Sequence, residues 1–215
     1  MTKFNKSGFS TLALIAALAI TSCRSTPNAS EGAFFNTPSN QQQGGNNTSE
    51  ELRKIYIFSP TGFYNGNLGG RIGADNICGS NLPMDLEEAG YETHAILAFD
   101  TRDDMASFPA NYLIPTNETI YAHGTEVIIA NSWADFMDGS LDANVRDAGV
   151  LPANTIYWTG FEPDGRLTQD TCSGFTNGTS VQDAQIGNSD YADVRWSAFQ
   201  VDGCNAVHPI LCFAF

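Results

Sequence analysis

The sequence has little positive charge: ten Lys and Arg residues stand against 24 Asp and Glu residues, which gives a formal net charge of -14 over 215 residues. Such a chain would repel nucleic acids, heparin-like polyanions and anionic lipid surfaces at long range. These classes are therefore disfavoured as the main partner of the folded part. A hydrophobic share of 42% is still enough for a core, and the length suits one folded domain with non-globular sequence beside it.

The sequence also lacks the common patterns of catalytic and metal sites. Its three histidines, His94, His123 and His208, are far apart, and none belongs to an H-x-x-x-H or H-E-x-x-H pattern. There is no G-x-S-x-G elbow for a nucleophilic serine and no C-x-x-C pair for zinc. The glycine-rich stretch from Gly66 to Gly73 has neither the lysine nor the spacing of a phosphate-binding loop. We therefore expect a protein that is not an enzyme, with no catalytic residues, no metal ligands and no cofactor.

Only one long apolar run is present, from Phe9 to Ile20, and it follows a short basic start. The run is too short to span a bilayer, so it is typical of an export signal. It ends at Ile20-Thr21-Ser22-Cys23, which resembles the lipobox of bacterial lipoproteins. The sequence thus predicts a lipoprotein signal peptide at residues 1–22 and a lipidated Cys23. An ordinary secretory signal with a free cysteine nearby is the alternative.

The segment after the cysteine has almost no apolar residues. Ser, Thr, Asn, Gln, Gly and Pro supply 20 of the 27 positions from 24 to 50. Such a composition cannot bury enough apolar surface to offset the entropy of ordering. We therefore predict a disordered tether over residues 23–51, beginning with the lipidated cysteine, and a folded domain over residues 52–215.

Cysteine is scarce, and the predicted folded part contains an even number of cysteines. Besides Cys23 there are Cys78, Cys172, Cys204 and Cys212. Four cysteines in an exported chain predict two disulfides, and the sequence alone leaves all three pairings open.

The remaining sequence alternates short strand-like runs with long stretches rich in Gly, Asn, Asp and Pro. Two helices are predicted, one over residues 70–81 and one that begins with a cap at Ser132 and ends at Gly139. The fold class is therefore α+β, with a mostly antiparallel sheet, two helices and long loops. The predicted strands are Lys54–Ser59, His94–Phe99, Ile156–Gly160, Val194–Phe199 and Pro209–Phe215.

An ordered set of motifs resembles one known family. The glycine-rich segment from Asn65 to Cys78 is similar to the start of the first helix in endostatin, the C-terminal domain of collagen XVIII. It resembles still more the endostatin-like lipoproteins of bacteria, known mainly from spirochaetes and grouped as the DUF1554 family. Further matches are Asn131–Gly139, Tyr157-Trp158-Thr159-Gly160, Pro163-Asp164-Gly165-Arg166-Leu167, Cys172, and Cys204 and Cys212 before the last strand.

The resemblance implies a C-type-lectin-like, endostatin-like domain over residues 52–215. In that fold the terminal strands pair, and the two disulfides are nested. Cys78 then joins Cys212, and Cys172 joins Cys204.

The resemblance also implies a function. Endostatin-like lipoproteins have been associated with extracellular-matrix proteins such as laminin and fibronectin, with plasminogen and with the complement regulator factor H. We therefore expect a lipid-anchored surface adhesin or complement-regulator binder. The chain lacks the arginine-rich heparin patch of endostatin, with seven Lys and Arg against 21 Asp and Glu from residue 52 on. Heparin is therefore disfavoured as a ligand, and basic partner surfaces are favoured.

Two other functions stay open. A calcium-dependent carbohydrate-binding lectin is one, because Glu162-Pro163-Asp164 resembles the first loop motif of sugar-binding C-type lectins, whose ligands to calcium are oxygens. The second motif of those lectins is absent at Trp196-Ser197-Ala198, so calcium is a weak expectation, with Asp190 and Asp193 as incidental ligands. A structural envelope lipoprotein without a soluble ligand is the other.

The candidate binding residues lie in the central part of the chain. If the terminal strands pair, the tether and the C terminus leave the domain at the same end. We then expect the loops between about Tyr112 and Asp193 to project away from the membrane. The candidates for exposure there are Trp133, Glu162, Asp164, Asp190 and Tyr191, whereas Trp158 and Trp196 are expected on strands in the core.

The anchor can be tested directly. Because Cys23 is the only strong membrane signal in the sequence, Cys23→Ala should release the protein from membranes into the soluble fraction, as measured by fractionation. Arg24, rather than an aspartate, follows the cysteine, which predicts the outer membrane by the sorting rule of enteric bacteria. Retention of the variant in the membrane fraction would contradict the lipoprotein interpretation.

Overall fold

A computed structural model describes residues 53–215 of the chain. The predicted signal peptide, Cys23 and the tether lie outside the described residues. Within residues 53–215 the fold is mixed α+β, with two sheets and short helices. The predicted fold class is therefore confirmed.

The larger sheet has five strands in the order β2-β8-β1-β3-β4. The first strand pairs antiparallel with the last and parallel with β3, while the other pairs in this sheet are antiparallel. The predicted pairing of the terminal strands is thus present. The strands are β1 (Ile55–Phe58), β2 (Thr93–Ala95), β3 (Ile120–Ala122), β4 (Ile128–Ala130) and β8 (Cys212–Ala214).

The smaller sheet has three antiparallel strands in the order β5-β6-β7. They are β5 (Ile156–Trp158), β6 (Asp183–Asn188) and β7 (Gln200–Gly203). The middle strand, β6, is six residues long and is the longest of the described part.

The helices are more numerous than predicted. The two predicted helices are present as α1 (Gly70–Ser80) and α4 (Trp133–Phe136), the second capped by Ser132 as expected. Three further segments, each of four or five residues, were not predicted: α2 (Met84–Glu88), α3 (Phe108–Tyr112) and α5 (Cys172–Phe175). Their shortness explains the omission, because a hydrophobic period of 3.6 cannot be recognised over one turn.

One predicted strand is wrong. Val194–Phe199 begins with a 3-10 helix over Val194–Trp196, where the Asp193 side chain accepts a hydrogen bond from the Arg195 amide. This local cap outweighs the strand preference of the β-branched and aromatic residues. The predicted strand His94–Phe99 is also shortened, since β2 ends at Ala95 and the chain continues as buried irregular backbone.

The larger sheet separates two hydrophobic clusters. Ile55 and Ile57 of β1 face one cluster, and Phe58 faces the other. Side chains also alternate between the two faces along β8, so that Phe213 lies in the first cluster and Cys212 in the second. Because the central strands are buried on both faces, their sequences read as continuous apolar runs rather than as alternating ones.

The disulfides join Cys78 to Cys212 and Cys172 to Cys204, so the nested pairing is confirmed. The first bond ties α1 to β8 across a sequence separation of 134 residues. In β1 and β8, Tyr56 lies opposite Ala214. The start of the described chain and its C terminus therefore lie at the same end of the sheet.

The glycines around the start of α1 serve two different purposes. Gly69 and Gly70 have φ angles of 81° and 67°, which glycine adopts without strain. Gly66 and Gly73 instead permit close packing: a Cβ on Gly66 would lie 2.3 Å from Sγ of Cys172, and one on Gly73 would lie 1.9 Å from the carbonyl oxygen of Leu68. The segment thus needs glycine both for its turn and for its contacts.

Two glycines of the same helix provide a matched test. Gly73→Ala should lower the free energy of unfolding by about 2 kcal/mol or more, because its methyl group would overlap backbone that cannot move freely. Gly79→Ala should raise it by about 0.5 kcal/mol, because the nearest atom is 3.9 Å away and alanine favours the helix. Urea denaturation of both variants checks the signs, and equal effects would contradict this explanation.

Arg71 of α1 connects the helix to three other parts of the domain. Its guanidinium donates to the carbonyl oxygens of Ala95 and Leu97 at 2.7 and 2.8 Å, and pairs with Asp103 through Nε at 2.8 Å and Nη2 at 2.9 Å. It also lies 4.2 Å from the ring centre of Phe99. Only 14% of this side chain is exposed, so its charge is compensated mostly by protein groups.

Asp75, one turn further along α1, extends this network. Its Oδ1 accepts hydrogen bonds from Arg71 at 3.3 Å and from the Ala95 amide at 2.9 Å, while Oδ2 lies 2.8 Å from Nδ1 of His94. The Tyr112 hydroxyl lies nearby, 3.2 Å from Asp103, and burial raises the pKa of Tyr112 to about 12. The network therefore holds α1, β2 and α3 together through groups that depend on one another.

Arg71→Lys should lower the free energy of unfolding by about 2 kcal/mol. The ammonium group keeps the charge but cannot reach two carbonyls and both oxygens of Asp103 at once. The matched control is Arg166→Lys, because that side chain is 77% exposed and pairs loosely with Asp164 at 3.6 Å. The control should leave the urea midpoint unchanged, and a similar loss in both variants would contradict the role given to Arg71.

Candidate functional site: an acidic loop surface

Trp133 is not on the surface, which corrects the expectation that it is exposed. Its exposed fraction is 6%, and its ring stacks on Phe108 at 5.8 Å with an interplanar angle of 4°. Trp133 and Phe136 lie three residues apart in α4 and are both buried in the same cluster. That i, i+3 spacing was readable in the sequence and indicates a core face rather than a binding residue.

The turn that contains Glu162 and Asp164 is a tight hairpin turn. Phe161 and Leu167 bridge antiparallel, the Glu162 amide donates to the Arg166 carbonyl at 2.8 Å, and the Gly165 amide donates to the Glu162 carbonyl at 2.8 Å. Glu162 and Asp164 are both exposed, as expected. The resemblance of this segment to a lectin loop is therefore also explained by ordinary turn chemistry.

Asp190 and Tyr191 are only partly exposed. The Asp190 carboxylate accepts hydrogen bonds from Arg146 at 3.2 Å and from the Asn154 amide at 3.1 Å, so it joins two loops. The Arg195 guanidinium lies 3.6 Å from the ring centre of Tyr191, which covers one face of that ring. Both residues therefore take part in contacts that stabilise the loop.

Three loops meet and form one surface. A Cβ on Gly139 would lie 3.4 Å from Val194 and 3.5 Å from Pro163, and the Leu141 amide donates to the Ala192 carbonyl at 2.7 Å. The structure therefore brings the 162–166 turn together with residues 138–141 and 190–195. We refer to the exposed carboxylates of these segments, Asp138, Glu162, Asp164 and Asp193, as the loop surface.

The two arginines in these three segments form ion pairs with carboxylates of the loop surface. Arg166 pairs with Asp164, and Arg195 pairs with Asp193. The hydrogen bonds from Arg195 lower the pKa of Asp193 to about 2, so this carboxylate stays ionised over the physiological range. Asp138 and Glu162 have no cation beside them in the described part of the chain. The loop surface therefore carries a net negative charge.

The same imbalance holds for the whole of residues 53–215. These residues contain 21 Asp and Glu but seven Lys and Arg, and five of the seven cations already form ion pairs with acids. A sixth, Arg53, donates to the Gly90 and Ala89 carbonyls. The described domain thus has few positive groups left for a partner and many carboxylates. The five paired cations are Lys54, Arg71, Arg146, Arg166 and Arg195.

A polar cavity of about 310 Å³ lies elsewhere on the domain, between residues 169–173 and residues 181–183. Its wall includes Cys172 and Ser173, the first two of four consecutive residues, Cys172 to Phe175, whose φ angles are 51° to 65°, so α5 is a left-handed turn. Left-handed backbone costs about 1 to 2 kcal/mol for each non-glycine residue, and it persists only where the surroundings enforce it. The cavity could not be read from the sequence, because its two walls are brought together by long-range contacts such as the bridge between Thr171 and Ala184 and the hydrogen bond from Ser173 to Gln182.

A second cavity, of about 270 Å³, is lined mostly by apolar groups. It lies between the chain that follows β1 and the loop at residues 150–155. Phe63, at its edge, is largely exposed. Its other apolar lining residues are Pro60, Val150, Leu151, Pro152 and Pro209.

The orientation expected for the central loops is wrong in one respect. Residues 112–193 contain strands β3, β4, β5 and β6, and β3 runs parallel to β1. Ile120, the first residue of β3, therefore lies beside Ile55, and Ala130 lies beside Ile120. Part of this segment thus lies at the same end of the sheet as the start of the described chain.

Within residues 53–215 no three His, Cys, Asp or Glu side chains are grouped so that they could hold a metal ion. Asp190, considered above as an incidental calcium ligand, is already paired with Arg146. Each histidine also has an acidic partner: His94 lies 2.8 Å from Asp75, His123 lies 3.0 Å from Asp85, and His208 lies 2.9 Å from Asp202.

None of the helices in this part of the chain has the length and apolar character needed to cross a bilayer. A protein-family model described as a protein of unknown function, DUF1554, matches residues 61–192, which is more than half of the chain. A comparison with curated proteins gives no significant match.

Proposed function

We propose, on the basis that the chain belongs to the DUF1554 family, that it is a non-enzymatic bacterial surface lipoprotein that binds host extracellular-matrix or serum proteins. The family description names no activity, so the proposal rests on the surface of the domain. It includes a lipid anchor at Cys23 in the outer membrane. It also includes a C-type-lectin-like fold, for which the paired terminal strands and the nested disulfides are the supporting features.

The uncompensated acidic surface is the observation that carries this proposal. Since most cations of residues 53–215 are engaged in internal ion pairs, a partner meets mainly carboxylates. A surface of one sign attracts a partner surface of the opposite sign and accelerates the encounter. The partner surface in this proposal is therefore basic, and the contact requires neither a sugar nor a bound calcium ion.

The first test measures binding of the chain from residue 23 on, carrying Cys23→Ala, to immobilised laminin, fibronectin, plasminogen and factor H. Binding to at least one of them should weaken at least tenfold between 50 and 500 mM salt, because charge attraction at the surface is screened. Removal of calcium with a chelator should leave the affinity unchanged. Binding that requires calcium and is inhibited by free sugar would instead support the lectin function.

The loop surface gives the matched variants. Asp138→Asn with Glu162→Gln removes two charges without a nearby cation and should weaken binding about threefold to tenfold. The control, Glu87→Gln with Glu88→Gln on α2, removes the same charge elsewhere on the surface. No binding to any of the four proteins, or equal losses in both double variants, would contradict a partner site on the loop surface.

A further inference from the structure

The apolar cavity beside Phe63 lies where three segments without Asp, Glu, Lys or Arg come together. Tyr64 and His208 exchange two backbone hydrogen bonds, at 2.9 and 3.0 Å. Trp158 connects the remaining segment to both, because its indole donates to the Tyr64 carbonyl at 2.7 Å and its amide donates to the Pro209 carbonyl at 3.2 Å. We refer to the exposed part of these segments as the uncharged face. The segments are residues 59–70, 148–161 and 203–215.

The lack of charge on this face matters because the rest of the domain is strongly acidic. Residues 53–215 carry 21 Asp and Glu against seven Lys and Arg, so two copies that met through the loop surface would bring carboxylates together. A contact through the uncharged face places no carboxylate, ammonium or guanidinium of one copy's face against those of the other. His208, the one histidine of the three segments, is buried and lies 2.9 Å from Asp202.

The uncharged face carries a projecting aromatic ring. Phe63 is 69% exposed, although the domain has a core that could bury a ring of this size. Its backbone is held on one side by Tyr64, which is paired with His208, and on the other by Gly62, whose φ angle is 138°. Val207, another exposed apolar residue, belongs to the same face. Aromatic residues on a surface without charge are typical of the centre of a protein–protein interface.

The same face also contains a cavity that suits such a ring. Its volume is about 270 Å³, and none of its nine lining residues is charged. An apolar cavity of about 150 Å³ can hold a benzene molecule, so this one has room for a phenyl group. Three of the lining residues are prolines, whose fixed φ angle keeps the wall in place before anything binds. They are Pro60, Pro152 and Pro209.

We propose that the uncharged face binds a second copy of the chain, with Phe63 of each copy in the cavity of the other. A projecting ring and a matching cavity side by side make a surface complementary to itself, which is what a two-fold interface requires. The face follows the end of β1, whereas residue 53 precedes its start, so the contact leaves the attached end of the domain clear. This inference goes beyond the proposed function, because it concerns another surface and apolar contacts.

Sedimentation equilibrium of the chain from residue 23 on, carrying Cys23→Ala, tests the proposal. We expect a monomer–dimer equilibrium with a dissociation constant of about 0.1 mM or lower. The dimer should become at least about threefold tighter between 50 and 500 mM salt, because salt screens the repulsion between two acidic copies. A chain that stays monomeric at about 1 mM protein in 500 mM salt, or a dimer that weakens with salt, would overturn the inference.

Phe63→Ser should weaken the dimer about tenfold or more, because a two-fold interface loses the ring twice. The matched control is Leu113→Ser, which removes an apolar side chain that is 87% exposed and lies outside the three segments. It should leave the dissociation constant unchanged. Pro152→Glu should also prevent dimerisation, because it adds a carboxylate at the cavity of each copy. Urea midpoints show that the variants are folded, and equal weakening by Phe63→Ser and Leu113→Ser would overturn the inference.

The same variants separate this inference from the proposed function. If the chain dimerises through Phe63 but none of the four host proteins binds, the inference stands and the proposed host partners are wrong. If the chain is monomeric and Phe63→Ser weakens binding of a host protein, the uncharged face belongs to that partner. The inference is then overturned while the proposed function stands.

Discussion

The ionic contacts of Arg71 are the interaction on which the rest of the domain depends. One guanidinium reaches α1, the end of β2 and the loop at Asp103, and its charge is compensated mostly by protein groups rather than by water. A charge in such a place stabilises the fold only while all its partners are present. The position of α1 in turn sets Cys78, and with it the bond to β8. Arg71 therefore helps to fix α1, the end of β2 and the loop at Asp103 relative to one another.

The disulfides compensate for short strands. The strands of the larger sheet have three or four residues each, so each pair contributes few backbone hydrogen bonds. Closing a loop of 134 residues restricts the unfolded chain by roughly 5 kcal/mol in the chain-entropy picture, and the inner loop adds about 3.5 kcal/mol. The two disulfides thus contribute stability that longer strands would contribute in a domain with fewer irregular loops.

Sequence reasoning recovered the parts whose preferences are local. The run at β1, the glycine-rich start of α1 and the Ser132 cap were readable, and the family resemblance supplied the disulfide pairing. The strand β6, with the sequence DAQIGN, was missed because Asp, Gly and Asn disfavour strands, and its conformation comes from pairing on both sides. The polar cavity between residues 169–173 and 181–183 was beyond reach for a related reason, since its walls meet through long-range contacts that no local sequence pattern shows.

The pairing of β1 on both sides has a mechanical consequence. If the proposed anchor at Cys23 holds the protein while a partner pulls on it, the tension enters the described domain at residue 53. The strand that receives it lies between β8 and β3. A pull along β1 loads its hydrogen bonds to both neighbours in shear, so they must break together rather than one after another. The position of β1 between two neighbouring strands thus opposes its extraction by a force applied at residue 53.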